Sequence, residues 1–439
     1  MTSVLIAIAA MFAYGIPATL MLDPRARGGK LAAFGFLYGS GIVFLAMLIL
    51  SIANVSWTVP LIATVAFLIA CSFRVLRITV PPGDGDLRPR QTHSKAEIAV
   101  HALTALTVLS YASYATLAHL WEWDYWAIWG LKGRVFFENH GLDWRYLSSE
   151  WNTFAHNDYP QLLPFNFSFI ALIGGTWDDR WLGLLNVMYA IAALLIVWAL
   201  RRETTPLIGA LATLACASTA ASCYVGLAEG ALIAFGAAGV LMIRAAIIDD
   251  DPLAMRHGAL LLGFAASCKN EGVAMLVAVA IAVALVARKW LLRLWPSIVI
   301  AAPWMVLRAF HHLPTDLAEG NVAARVIAHL RTLHVTLLDL ALSLYNPVLW
   351  CALLATIVLL PSSWRRRERF VLLVVGIQLA FYLASYLVTP HDVHWHIGTS
   401  WPRLTRHVHI PLIVVTVFGL ANWLSGGEDA AHAEARSEV

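Results

Sequence analysis

Long apolar stretches separated by short polar segments recur along almost the whole chain. The stretches are about 17–25 residues long, and a helix of that length crosses a bilayer core of roughly 30 Å. This pattern predicts an all-α polytopic membrane protein. The candidate spans are residues 3–22, 31–52, 57–75, 98–119, 181–200, 206–222, 228–247, 257–269, 272–288, 294–310, 336–360, 370–388 and 408–424.

Basic residues at the ends of these spans predict their orientation, because lysine and arginine concentrate in the cytoplasmic loops of membrane proteins. If every basic group faces inward, the alternation needs about 13 crossings and an N-terminus outside the cell. The groups lie within residues 25–30, 74–95, 201–202, 244–256, 288–293 and 365–369. The longer polar loops then lie outside, so we expect the outer face to be the working one.

The apolar stretch 160–176 fits this alternation only if it does not cross the membrane. Its two prolines and flanking glycines are typical of a half-helix or re-entrant segment, which is tolerated where protein or water covers the backbone. The alternative is a full span that breaks the charge rule. The first interpretation makes residues 120–180 a large external loop with surface helices. It belongs to a single transmembrane domain at 1–424, followed by a disordered cytoplasmic tail at 425–439.

Composition supports the membrane class and excludes others. Hydrophobic residues make up 60% of the chain and charged residues 13%, whereas a soluble domain typically carries about 25% charged residues. The net charge of +3 is too small to indicate nucleic acid as a partner. The five cysteines show no CxxC and no zinc-ligand spacing, which argues against disulfides and structural zinc. We expect the inner (plasma) membrane of a bacterium, with the active site on its periplasmic face.

The segment WEWDYWAIWGLKGR, residues 121–134, combines four tryptophans with two acids and two bases. If it is helical, Asp124 and Lys132 share one face and lie about 12 Å apart, at roughly 1.5 Å per residue. They could line one groove without pairing, while Trp123 and Trp126 face elsewhere. The alternative is an aromatic belt at the lipid boundary that includes one solvated aspartate.

The next polar group, HNDYP at residues 156–160, opens the apolar stretch 160–176. It contains His156, Asp158 and Tyr159, so it supplies a second carboxylate close to the boundary between lipid and water. The alternative is a turn whose polar side chains cap the following helix and have no part in catalysis.

Charged residues also lie inside or between apolar spans. Glu229 is just inside one span, and the CKNEG motif places Lys269 and Glu271 between two short apolar runs. Charges at membrane depth are costly, so these residues are candidates for function. The alternative is that Lys269 and Glu271 only neutralise each other at a helix break.

The last polar cluster is TPHDVHWHIGTSWPRLTRHVHIP, residues 389–411. His394 and His396 alternate instead of showing the i, i+4 spacing of a helical metal pair, so they do not predict zinc. Arg403 lies on the predicted outer face, where basic residues are uncommon. Its guanidinium group has the shape that suits two-point contact with a phosphate.

Taken in order, these motifs resemble the GT-C superfamily of glycosyltransferases, near its bacterial protein-mannosyltransferase-like and aminoarabinose-transferase-like branches. The motifs are WDYWAIWGLKGR, HNDYPQLLP, GLAEGALIAF, CKNEG and TSWPRL, and the resemblance covers roughly residues 98–415. Members of that superfamily carry an essential acid near the start of the first large external loop. This sequence departs from the pattern at Leu227, where members have tyrosine, and by placing four candidate spans before that loop, where many members have one.

The resemblance implies a GT-C-like fold and an inverting transferase. A sugar would pass from a polyprenyl-phosphate donor to a lipid, glycan or protein acceptor, with Asp124 as the general base. The resemblance implies no definite cofactor, and it does not decide whether a divalent cation takes part. The implied roles are catalytic for Asp124, Asp158 and Glu229, phosphate binding for Lys132, Lys269 and Arg403, and substrate binding for His156, Tyr159, Trp126, Trp129, Glu271 and His396.

Two other classes fit parts of the sequence. A transporter or flippase for an anionic lipid or solute would use Glu229, Lys269, Glu271 and Arg403 as an intramembrane path. The charges cluster on one face without a charged ladder through the spans, which favours the enzyme. A non-catalytic scaffold that binds membrane lipids is the third class.

Overall fold

The computed structural model describes residues 1–77, 94–222, 224–315, 320–342 and 347–425, and within them every regular element is helical. The all-α prediction is confirmed for this part of the chain. The predicted disordered tail lies outside the described residues apart from Ser425. The α-helices are α1 (Thr2–Leu22), α2 (Gly28–Ile52), α3 (Val59–Ser72), α4 (Lys95–Leu117), α5 (Gly130–Asn139), α6 (Trp144–Leu147), α7 (Leu162–Gly174), α8 (Leu184–Ala199), α9 (Pro206–Ala220), α10 (Glu229–Asp249), α11 (Pro252–Ala266), α12 (Asn270–Val286), α13 (Trp295–Phe310), α14 (Val322–Arg331), α15 (Leu333–Leu342), α16 (Pro347–Val358), α17 (Ser362–Arg367), α18 (Arg369–Val388), α19 (Val393–Leu404) and α20 (Arg406–Leu424).

Eight helical segments in the described part of the chain are long and apolar enough to span a membrane. They are α1, α2, α4, α10, α18 and α20, together with α3 and α13 when the short helical turns beside them are included. Five more apolar helices, α7, α8, α9, α12 and α16, are shorter. The chain is therefore consistent with a polytopic membrane protein, and the count of about 13 crossings stays a prediction.

Polar contacts show which helix termini meet at one end of the bundle. Arg406, which begins α20, donates to the carbonyl of Ser222 just after α9 at 2.6 Å. Lys269, directly before α12, lies 3.1 Å from Glu229, the first residue of α10. A cavity lined in part by Lys269 opens at this end, which we call the cavity end.

The opposite end carries most of the basic residues that predicted orientation, and we call it the basic end. Arg244 of α10 forms ion pairs there with Glu203, which follows α8, and Glu368, which precedes α18. At the same end, Lys30 lies 3.0 Å from Asp23 in the turn between α1 and α2. This clustering agrees with the charge alternation along the sequence.

Helix α7 has both of its ends towards the cavity end. The Leu162 amide donates to the carbonyl of Ser267, past the end of α11, at 3.0 Å. Gly174 packs against Ser3 at the start of α1. A helix of 13 residues is only about 20 Å long, which is shorter than a bilayer core. The re-entrant interpretation of 160–176 stays a prediction.

Candidate functional site

The segment that begins with Trp121 is helical only from Trp123 onward, and it contains a π-helical turn at Tyr125–Trp129. π turns are rare in proteins, and many of those that do occur lie at functional sites. Gly130 leaves room for the Tyr125 ring beside this turn, because a Cβ at position 130 would lie only 2.6 Å from that ring. Asp124 is the residue that directly precedes the π turn.

The carboxylate of Asp124 forms an ion pair with Arg403 of α19, 279 positions later in the chain. The same Arg403 nitrogen, Nη1, lies 3.7 Å from Oε1 of Glu229. Burial disfavours the charged guanidinium, but Glu229 and Asp124 outweigh it and raise the pKa of Arg403 above its ordinary value. Arg403 therefore bridges an acid of the surface loop and an acid at the start of a buried helix.

Lys269 extends this chain of charges deeper into the protein. Its ammonium group lies 3.1 Å from Glu229 and 3.0 Å from Glu271. Gly272 allows the start of α12 to pack closely against the end of α11, because a Cβ at this position would lie 1.9 Å from the Ala265 carbonyl oxygen. Three carboxylates and two cations thus form one network, which we call the charged network: Asp124, Arg403, Glu229, Lys269 and Glu271.

The charged network borders an open cavity of about 360 Å³. The lining from α18, α19 and the turn between them also carries hydroxyl and aromatic groups such as Ser385, Thr389 and Trp395. Seven of the predicted site residues line this cavity: Asp124, His156, Tyr159, Lys269, Glu271, His396 and Arg403. Glu229 does not line it and lies directly behind, with 1% of its side chain exposed.

Asp158 is buried beside this cavity and does not line it. Its Oδ2 accepts a hydrogen bond from Asn270 at 2.9 Å and lies 3.7 Å from Arg308. Its backbone carbonyl accepts from the Trp304 indole at 3.1 Å. In this structure Asp158 therefore holds the HNDYP loop against α12 and α13.

His156 turns the same loop with a left-handed backbone, at φ 47° and ψ 61°. This conformation is uncommon for a residue with a side chain, and such residues concentrate at functional sites. The turn stacks the His156 ring on Tyr159, with ring centroids 4.7 Å apart, and both side chains reach the cavity.

Lys132 is fully buried and does not line the cavity, so it does not form the groove with Asp124 that the sequence predicts. The π turn between them changes the rotation per residue and so removes the shared face of a regular α-helix. Lys132 donates to the His156 carbonyl at 3.0 Å and lies 5.2 Å from the Trp129 ring centroid. Burial lowers the pKa of Lys132 to about 7, although Asp158 opposes the shift.

The tryptophans of this segment divide into two groups. Trp129 is fully buried, whereas Trp123 and Trp126 are exposed, and only Trp123 lines the cavity. Exposed tryptophans near apolar helix ends are typical of an aromatic belt. The predicted substrate contacts of Trp126 and Trp129 stay predictions, since neither side chain reaches the cavity here.

The structure adds residues that the sequence reasoning missed. Arg308, close to the end of α13, contacts Asn270 at 3.1 Å. The sequence does carry a signal for Arg308, because it is a basic residue near the predicted outer end of the candidate span 294–310. His407 and Tyr382 form a buried hydrogen bond of 2.8 Å at the cavity wall, which Tyr382 helps to line, and no spacing in the sequence indicates this pair.

Comparisons with known protein families, with curated proteins and with solved structures found no match. In the described residues, no group of three or more histidine, cysteine, aspartate or glutamate side chains is placed to hold a metal ion. The case for function therefore rests on the charged network and the cavity that it borders.

Proposed function

We propose that this chain is a membrane glycosyltransferase of the GT-C kind. It would move a sugar from a polyprenyl-phosphate donor to a hydroxyl of a lipid, glycan or protein acceptor on the outer face of the membrane. One observation carries the proposal: acids and bases from distant segments meet on the wall of one open cavity, beside the ends of apolar helices.

Asp124 is the proposed general base because its carboxylate lines the cavity and is partly exposed. The acceptor oxygen attacks the anomeric carbon and forms the new glycosidic bond. The bond from that carbon to the phosphate oxygen breaks, and its electron pair leaves on the phosphate. The acceptor proton passes to Asp124, and such assistance is typically worth about 10²–10⁴-fold in rate.

Arg403 and Lys269 are the proposed partners of the leaving phosphate. Negative charge grows on the phosphate as the glycosyl bond breaks, so cations already in position stabilise the transition state. Both side chains line the cavity, and neighbouring carboxylates hold both in place. Lys132 is fully buried, so its proposed effect on catalysis runs through the HNDYP loop that it holds.

The hydroxyl and aromatic residues of the cavity lining suit the sugar. Thr389, Thr399 and Ser385 bring hydroxyl groups to the cavity, and Trp395 and His396 bring rings. Sugars present hydroxyl groups at their edges and apolar C–H groups on their faces, so a wall with both kinds of group matches them. The apolar helices around the site suit the polyprenyl chain.

The test compares purified wild type, Asp124→Asn and Glu122→Gln with labelled polyprenyl-phosphate sugars and lipid or glycan acceptors. We expect Asp124→Asn to lose at least about 10²-fold of the transfer rate, because it removes the base and keeps the shape. Glu122 lies two residues earlier and does not line the cavity, so Glu122→Gln should keep most activity.

Two results would count against the proposal. Transfer by Asp124→Asn at the wild-type rate would remove the assigned base. Transport of labelled lipid across proteoliposome membranes without any transfer product would favour a flippase.

A further inference from the structure

Arg403 faces competing demands at the cavity wall. Its Nη1 contacts Asp124 and lies 3.7 Å from Glu229, so one guanidinium nitrogen serves two carboxylates. The charged network holds three carboxylates against two cations, which leaves one negative charge in excess when all are ionised. A phosphate that enters this site adds further negative charge, so it must compete for a cation that is already paired.

The two carboxylates around Arg403 are held with different strength. Glu229 has 1% of its side chain exposed and is also bound by Lys269. Asp124 has 20% exposed, and Arg403 is its ion-pair partner among the described residues. Removing a counter-charge from a buried acid costs much more than removing one from an acid that water can reach. Asp124 is therefore the carboxylate that gives way.

Resting on the proposed function, we propose that the donor phosphate displaces Asp124 from Arg403. The ion pair keeps the general base occupied in the empty enzyme, and donor binding releases it. Arg403 then lies between Glu229 and the phosphate, while the carboxylate of Asp124 turns to the acceptor hydroxyl. The base becomes available only when there is a sugar to transfer, which limits loss of donor to water.

This exchange predicts a variant that is inactive but binds its ligand more tightly. Asp124→Asn removes the competitor for Arg403, so a prenyl phosphate should bind it about three- to tenfold more tightly than it binds wild type. A residue that only contacts the substrate would show weaker or unchanged binding when replaced. The direction of the affinity change therefore identifies the exchange.

The experiment measures the dissociation constant of a short-chain prenyl monophosphate for the full-length protein in detergent, by titration calorimetry. The matched control is Glu122→Gln, which removes a negative charge near Arg403 without breaking an ion pair to it in the described structure. Arg403→Lys is the second variant, and it should bind more weakly than wild type because lysine contacts the phosphate at one point. Thermal unfolding of each variant checks that it is folded.

Tighter binding by Asp124→Asn and not by Glu122→Gln supports the exchange. Equal tightening by both variants, or none by Asp124→Asn, overturns it. If wild type transfers sugar while Asp124→Asn binds no more tightly, only this inference fails. If wild type neither transfers sugar nor binds prenyl phosphate, the proposed function fails with it.

Discussion

An arginine lies between two carboxylates near each end of helix α10, Arg244 of α10 itself at one end and Arg403 of α19 at the other, and the two clusters differ in their contact with the outside. At the basic end, Arg244 forms hydrogen bonds of 2.6–3.0 Å with both Glu368 and Glu203, and it is almost fully buried. At the cavity end, Arg403 approaches Asp124 and Glu229 through a single nitrogen beside an open cavity.

The difference shows that a buried ion pair does not by itself indicate a functional site. Arg244 connects α10 to the segments after α8 and before α18, and its donors are occupied by protein. Arg403 has the same kind of partners, but a ligand can reach it. Accessibility, not charge, separates a structural cluster from a candidate site.

The largest effect on stability should follow from breaking the cluster at the basic end. Arg244→Gln leaves Glu203 and Glu368 without their shared cation, and the loss of one partner from a buried ion cluster costs about 3–5 kcal/mol. Unfolding measured in detergent should show this loss. Arg403→Gln is the comparison, and an equal loss there would contradict the contrast between the two clusters.

A smaller effect should follow from Gly272→Ala, which acts on the cavity end through packing. The new Cβ would lie 1.9 Å from the Ala265 carbonyl, so α12 must move away from α11. We expect a stability loss of about 1–3 kcal/mol and a lower transfer rate, because Lys269 and Glu271 move with the helix. Gly376→Ala is the control, since nothing lies within 4 Å of its Cβ position.

Lys132 gives a test that depends on pH. Burial lowers its pKa to about 7, whereas an unfolded lysine keeps a value of about 10.4. Between these values the unfolded chain binds more protons, so the contribution of Lys132 to stability rises with pH from about 7 to 10.4. The free energy of unfolding of wild type should therefore rise relative to Lys132→Met across that range, and parallel curves would refute the lowered pKa.

The smallest effect should come from an exposed ion pair at the basic end. Lys289 and Asp250 lie 2.5 Å apart, but their side chains are 65% and 67% exposed. Asp250→Asn should change stability by less than about 1 kcal/mol, because water and salt screen such a pair. A loss as large as that of Arg244→Gln would show that exposure does not decide the value of these contacts.

The sequence alone predicted much of the site because charge at the end of an apolar helix is costly and therefore conspicuous. That reasoning found Glu229, Lys269 and Glu271. The tryptophan-rich loop segment pointed to Asp124, and the rarity of basic residues on the outer face pointed to Arg403. The structure joins all five in one network. The sequence also predicted the all-helical architecture, which the structure confirms for the described residues.

Other features could not be predicted because they depend on how distant segments pack. A π turn between Asp124 and Lys132 overturned their shared helical face, and no residue pattern announces such a turn. The pairing of Arg244 with Glu368 joins residues 124 positions apart. Which acid meets which base is decided by helix packing, and spacing along one chain carries little of that information.

The position of α7 also has a consequence for the order in which the chain assembles. Helix α7 packs against α1 and α2, which are synthesised before it. Its first amide, that of Leu162, donates to the carbonyl of Ser267, which is synthesised about one hundred residues later. Synthesis proceeds from the N-terminus, so α7 cannot complete its contacts until α11 has been inserted. A helix that is made before α8 to α11 therefore settles only after them.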